Sequence, residues 1–195
     1  MSLNITVYCK QVSPDLIPQI MRRLNEYDMI VEVYPAFKFD QQKDIGFLPF
    51  KFRLKNPNWD ILKDKELKSG FELYISNFDL NEEKANLKSK RSLFDKLRGK
   101  KQVDVAFAPP NIESRLQECK KAVSFVWHVL DSFELRFASM ASAILAELTD
   151  GVCSYPADNI WYDNKDIVDQ AFKEVIAYEN SLLEKEIKFH EFNSW

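Results

Sequence analysis

Between Ser132 and Asp163 lies the run Phe-Ala-Ser-Met-Ala-Ser-Ala-Ile-Leu-Ala, residues 137–146, which carries no charge and has mostly small side chains. A helix of this composition is apolar on more than one side, so other elements must enclose it. Ser132 offers an N-cap, and Leu135, Ala138, Met140, Ala141, Ile144, Leu145 and Leu148 supply the apolar surface. The small residues let the helix approach its neighbours closely. Gly151 offers the left-handed position that ends it, and a strand over Val152–Tyr155 follows at once. A buried helix feeding directly into a strand belongs to a layered arrangement of helices on a sheet.

The rest of the chain supplies that sheet. Leu3, Ile5 and Val7 alternate with Asn4, Thr6 and Tyr8, the period of a strand with one face on a core. Ser13-Pro14-Asp15 opens a helix bearing Leu16, Ile17, Ile20, Met21 and Leu24; Pro18 moves its regular part to near Leu16. Met29–Tyr34 is rich in β-branched residues and is expected as a second strand, and Ile45–Leu54 as a third. Phe71–Phe78 alternates most cleanly and is expected to pair antiparallel with the third. Between them, Trp59, Ile61 and Leu62 form an apolar cluster able to dock on the sheet. Val103–Ala108 reads as a short strand stopped by Pro109-Pro110, and Lys121–Val129 as a longer one. A last helix starts after Asn164, with Ile167, Val168, Ala171, Phe172, Val175, Ile176, Leu182, Leu183 and Ile187 at helical spacing over about 20 residues. The expectation is a single α+β domain over 1–195. It has a mainly antiparallel sheet of about six strands and three helices, beginning near Leu16, Phe133 and Lys165.

Composition narrows the function classes. The 195 residues, 46% apolar, are enough for one sizeable core. The longest apolar run falls far short of the roughly 20 residues that cross a bilayer, so no membrane association is expected. The first residues lack a basic region followed by an apolar one, and a cytoplasmic location is the expectation. Cys9, Cys119 and Cys153 are too far apart for a disulfide framework or a structural zinc site. Charge is uneven: residues 1–101 hold 19 Lys/Arg against 14 Asp/Glu, and residues 102–195 hold 8 against 16. The second half is therefore expected to present an acidic surface that attracts basic partners and disfavours nucleic acid.

The segment at about 79–101 is read as a charged insertion. Lys84–Lys101 has eight cations and one acid, and Leu87, Leu93, Phe94 and Leu97 gather only loosely on one side. A polyanion strip, a contact with anionic lipid and a peripheral helix are all open. The expectation is a solvated, mobile insertion that buries too little to offset its ordering entropy.

Motifs of common enzymes are missing. The chain has no Gly-x-Ser-x-Gly, no His-Glu-x-x-His and no glycine-rich phosphate loop. No catalytic residue, cofactor or metal ligand is assigned. His128 and His190 sit in a strand and at a helix end, each without a nearby orienting group in sequence. Asp150, Asp158, Asp163, Asp166 and Asp169 cluster without the glycine and terminal glutamate of a calcium loop, and Asp163-Asn164 reads as helix capping. Trp127, Tyr155, Trp161, Tyr162 and Trp195 either fill the core or line a groove. Trp161 and Tyr162, adjacent in an extended segment, must point to opposite faces. A binding role is the more economical reading, with His128, Asp158, Trp161, Tyr162 and Asp163 as its candidate residues.

The passage Leu145-Ala146-Glu147-Leu148-Thr149-Asp150-Gly151-Val152, followed by Tyr155-Pro156 and Trp161, resembles a pattern of bacterial α/β proteins associated with polymorphic-toxin immunity families. Those families commonly place Asp-Pro where this chain has Tyr155-Pro156. The resemblance implies a non-enzymatic cytoplasmic protein that binds and occludes a protein partner, and here the acidic half would meet a basic toxin surface. The alternative is an enzyme or small-ligand-binding domain whose pocket is built from sequence-distant residues, with His128, Asp158, Trp161 and Asp163 in one cleft.

Overall fold

Alternating side chains dictate a sheet with one apolar face. In the computed structural model, which describes residues 3–39, 44–98, 106–156, 158–162 and 166–195, that sheet is antiparallel throughout. Its strands are β1 (Leu3–Cys9), β2 (Met29–Val33), β3 (Asp44–Leu54), β4 (Leu67–Asn77), β5 (Lys121–Trp127), β6 (Val152–Tyr155) and β7 (Ile160–Tyr162), in the order β2-β3-β4-β5-β1-β6-β7. A two-residue β8 (His190–Glu191) continues the β5 side of β4. The described residues thus hold eight strands where about six were expected. β1 lies inside the sheet, with Thr6 opposite Ser124 of β5 and Ser154 of β6.

The inner face carries Ile5, Val7, Leu48, Phe50, Phe52, Leu67, Phe71, Leu73, Val123, Phe125 and Trp127, all buried. Helices α1 (Leu16–Leu24), α4 (Glu134–Thr149) and α5 (Ile167–Ser181) contribute to the same core. α1 begins at Leu16, so Pro18 falls in the first turn, where its missing N–H costs no helical hydrogen bond. In α4 every residue from Arg136 to Ala146 is buried, as its composition requires. Phe50 stacks on Phe137 at 4.8 Å between ring centroids, and Phe52 meets Phe137 edge-on at 4.9 Å. Leu62 is buried in a 3₁₀ turn and Trp59 packs against the core, whereas Ile61 stays exposed.

Helices α2 (Leu80–Arg98) and α3 (Pro110–Leu116) bring the total among the described residues to five where three were expected. The segment read as a solvated insertion is mostly helix α2. Asp79 caps it by accepting the Asn81 and Glu82 N–H groups, and Leu80 is buried with Phe78, Ile112 and Leu116. Lys84 also pairs with Glu113 of α3. Pro109-Pro110, expected to stop a strand, instead starts α3, because proline suits the first helical position. Of the strand expected over 103–108, residues 103–105 lie outside the described residues, and 106–108 are not strand.

Two capping expectations are corrected. Ser132 does not cap α4; its hydroxyl accepts the Lys188 N–H at 3.0 Å while its own N–H donates to the Lys188 carbonyl at 2.8 Å. The left-handed residue ending α4 is Asp150, at φ 48°, rather than Gly151. Gly151 is required for a different reason, since a Cβ there would stand 2.7 Å from the Tyr8 carbonyl oxygen of β1. At the start of α5, Asp163 and Asn164 lie outside the described residues; Asp166 takes the N-cap position without a side-chain hydrogen bond. No described helix is long and apolar enough to cross a membrane.

Candidate functional site

The α4 residues Leu135, Ser139, Ser142 and Ala143 recur at helical spacing along one side of the helix, and all but Leu135 are small. That side faces Leu3 and Ile5 of β1, Trp127 of β5, Cys153 and Tyr155 of β6 and Tyr162 of β7. α5 supplies the far wall through Ile167, Gln170, Ala171, Glu174 and Tyr178. The small side chains do not fill the space between these walls, and a cavity of about 530 Å³ remains. This is the size of a small-molecule site with an apolar lining and a few polar groups.

Those polar groups have distinct settings. Asp131, 5% exposed, accepts the Ser69 hydroxyl at 2.9 Å and the Phe133 N–H at 2.7 Å. Burial nevertheless raises its carboxyl above the ordinary range. Asp158 and Glu174 are exposed at the rim, and the Gln170 amide donates to Glu174 at 3.1 Å. Burial pushes the Cys153 thiol up to about 12, so it is no nucleophile at neutral pH.

One edge of the cavity is strained. Val129 adopts φ 59°, a conformation a β-branched residue rarely tolerates, and this turns the chain out of β5 two residues before the expected end of the strand. The buried Glu134 carboxylate holds the loop by accepting the His128 N–H at 2.8 Å and the Leu130 N–H at 3.2 Å. Val129 and Leu130 are left 48% and 67% exposed.

Of the sequence candidates, Asp158 and Tyr162 line the cavity. Trp161 and His128 do not, because each is one residue from an inward-facing neighbour and so points through the opposite face. Trp161 stacks on Tyr8 at 5.8 Å and meets Phe107 at 5.7 Å in the outer apolar cluster. His128 Nε2 lies 3.1 Å from Glu72, whose carboxyl the Tyr74 hydroxyl, donating at 2.7 Å, helps hold below its usual range. The expected four-residue cleft is therefore split by the sheet, and its fourth member, Asp163, lies outside the described residues. Sequence reasoning passed over Asp131, Gln170, Glu174 and Tyr178. The last three share a helical face with Ile167 and Ala171, a signal that could have been read as a mixed, half-wet face. Among the described residues no group of three or more His, Cys, Asp or Glu is placed to hold a metal ion.

Some acids of the second half are paired across the fold. Glu113, Glu118, Glu147 and Glu191 pair with Lys84, Lys10, Arg23 and Lys65 of the basic half. Comparison of the chain with family models, curated proteins and solved structures finds no match.

Proposed function

We propose that this protein binds a small, mainly apolar ligand between the sheet and the α4–α5 pair. The observation that carries the reading is the 530 Å³ cavity, walled by Leu3, Ile5, Trp127, Leu135, Ile167 and Ala171 and edged by a few polar groups. A ligand of roughly 20 non-hydrogen atoms, at roughly 0.3 kcal/mol each, would bind with about 6 kcal/mol, a Kd of tens of micromolar. The test uses the neutral fluorophore N-phenyl-1-naphthylamine, which brightens in apolar surroundings. One equivalent should bind the parent protein, and Ala171→Trp, which fills the cavity, should abolish the signal while cooperative unfolding persists. Equal binding by that variant would place the probe elsewhere and remove the support.

A second reading, occlusion of a protein partner as the immunity resemblance implies, is favoured by the exposed apolar pair Val129 and Leu130. Rescue of cells from a co-expressed toxin, lost in a Val129→Glu/Leu130→Glu variant, would support it. Rescue that is indifferent to those changes would not.

A further inference from the structure

We propose that the ligand of this cavity is cationic, an organic ammonium with an aromatic or alkyl body, held by Asp158 and Glu174 at the rim. The inference rests on the cavity reading and adds the charge of the occupant. Three carboxylates, Asp131, Asp158 and Glu174, line the space, and no Lys, Arg or His does so among the described residues. By contrast, Glu113, Glu118, Glu147, Glu179 and Glu191 each meet a Lys or Arg. Asp131, Asp158 and Glu174 form no ion pair among the described residues, and the Gln170 amide is the only side-chain donor described for Glu174. A site built this way repels an anion and leaves a neutral ligand facing uncompensated negative charge.

Two further observations locate the charge. Burial first, and then the Asp158 carboxylate, raise the Tyr155 hydroxyl above its ordinary range; burial first, and then Glu174, raise that of Tyr162, where Asp158 adds a lesser share. Both rim carboxylates therefore act on one end of the cavity, where two phenols stand. The aromatic wall continues inward, with the Trp127 and Tyr155 rings 6.3 Å apart and inclined at 32°. Ring faces attract ammonium groups, and their apolar bodies accept an alkyl or aryl chain. Asp131 is held by the Ser69 hydroxyl and the Phe133 N–H instead, and the charged groups acting on it are Glu134 and His190.

The experiment compares three probes with the same phenylbutyl carbon skeleton by calorimetry at low salt: 4-phenylbutylammonium, 4-phenylbutanol and 4-phenylbutanoate. The ammonium is expected to bind at least tenfold more tightly than the carboxylate, with the alcohol between them, and the spread should shrink in high salt. In an Asp158→Asn/Glu174→Gln variant, altered only at exposed positions, the three affinities should converge to within about threefold. If no probe binds, the cavity reading itself fails, and this inference with it. Should the alcohol bind as tightly as the ammonium, or the carboxylate more tightly, the cavity stands and the cationic occupant is overturned. An ammonium preference that survives in the double variant overturns the assignment to these two carboxylates.

Discussion

The α4–α5 pair is closed along one side and open along the other, and the two sides are built from different residue types. On the closed side Arg136 and Glu179, 1% and 3% exposed, make a two-pronged pair at 2.8 and 2.7 Å. Arg136 also donates to the Tyr27 carbonyl at 3.4 Å and lies over the Phe172 ring. On the open side Ser139, Ser142, Ala143 and Ala171 reach too little to meet the sheet. Here a buried carboxylate, Asp131, is held by a hydroxyl and a backbone N–H rather than by an ion pair. A large charged pair thus fixes the helices against each other, which allows the opposite side to stay hollow without collapsing.

The strongest break of this comparison is Arg136→Met, which leaves Glu179 buried without its partner. It should cost about 3–5 kcal/mol by denaturant unfolding, and a second change, Glu179→Leu, should restore most of that. If the single and double variants are equally unstable, the pair is not what closes the helices. Next comes the same enlargement on each side. Ala138→Leu, in the packed core, should destabilise by about 1–3 kcal/mol, whereas Ala143→Leu, facing the cavity, should stabilise by about 1 kcal/mol. Equal losses at both positions would mean that the open side has no room. A smaller gain, about 1 kcal/mol or less, is expected for Val129→Gly, since glycine takes the left-handed conformation without the penalty that valine bears.

The smallest effect is one of slope. Because burial raises the Asp131 carboxyl above the ordinary carboxylate range, the folded state keeps the proton to higher pH than the unfolded chain does. Its contribution favours the fold below the unfolded-state titration and is lost as pH rises through the folded-state titration. Asp131→Asn should flatten the stability profile across that window, as read from chemical denaturation at successive pH values. An unchanged slope would show that Asp131 titrates as an ordinary carboxylate.

The strands were legible wherever one face met the core, because alternation at Leu3–Tyr8, Phe71–Phe78 and Lys121–Val129 is a direct record of burial. Limits of elements were less so. β4 starts at Leu67 because Leu67 and Ser69 continue the buried face, although Lys68-Ser69-Gly70 looks like a turn. In the sequence α2 is one of several open readings because, among its described side chains, only Leu80 is buried, behind an Asp79 cap, in a segment dominated by charge. The site was the least legible part. A cavity is space left unfilled, and the small residues of α4 show where a helix can come close but not where it does not. Its walls also come from six elements between Leu3 and Tyr178, so no local window contains them. Tyr162 and Asp158 were found because an aromatic and an acid stood out locally.

The interior position of β1 bears on how the protein is made. β2, β3 and β4 follow one another as a meander and can pair as soon as they are synthesised. β1 has no partner until β5 appears, since Thr6 meets Ser124, 118 residues later. During synthesis the apolar row Leu3, Ile5 and Val7 is therefore held outside any sheet while more than half of the chain is added, a period of roughly 6–24 seconds at roughly 5–20 residues per second. β1 is thus enclosed later than the meander that follows it, and its apolar row is a segment that a chaperone meeting the nascent chain would find exposed.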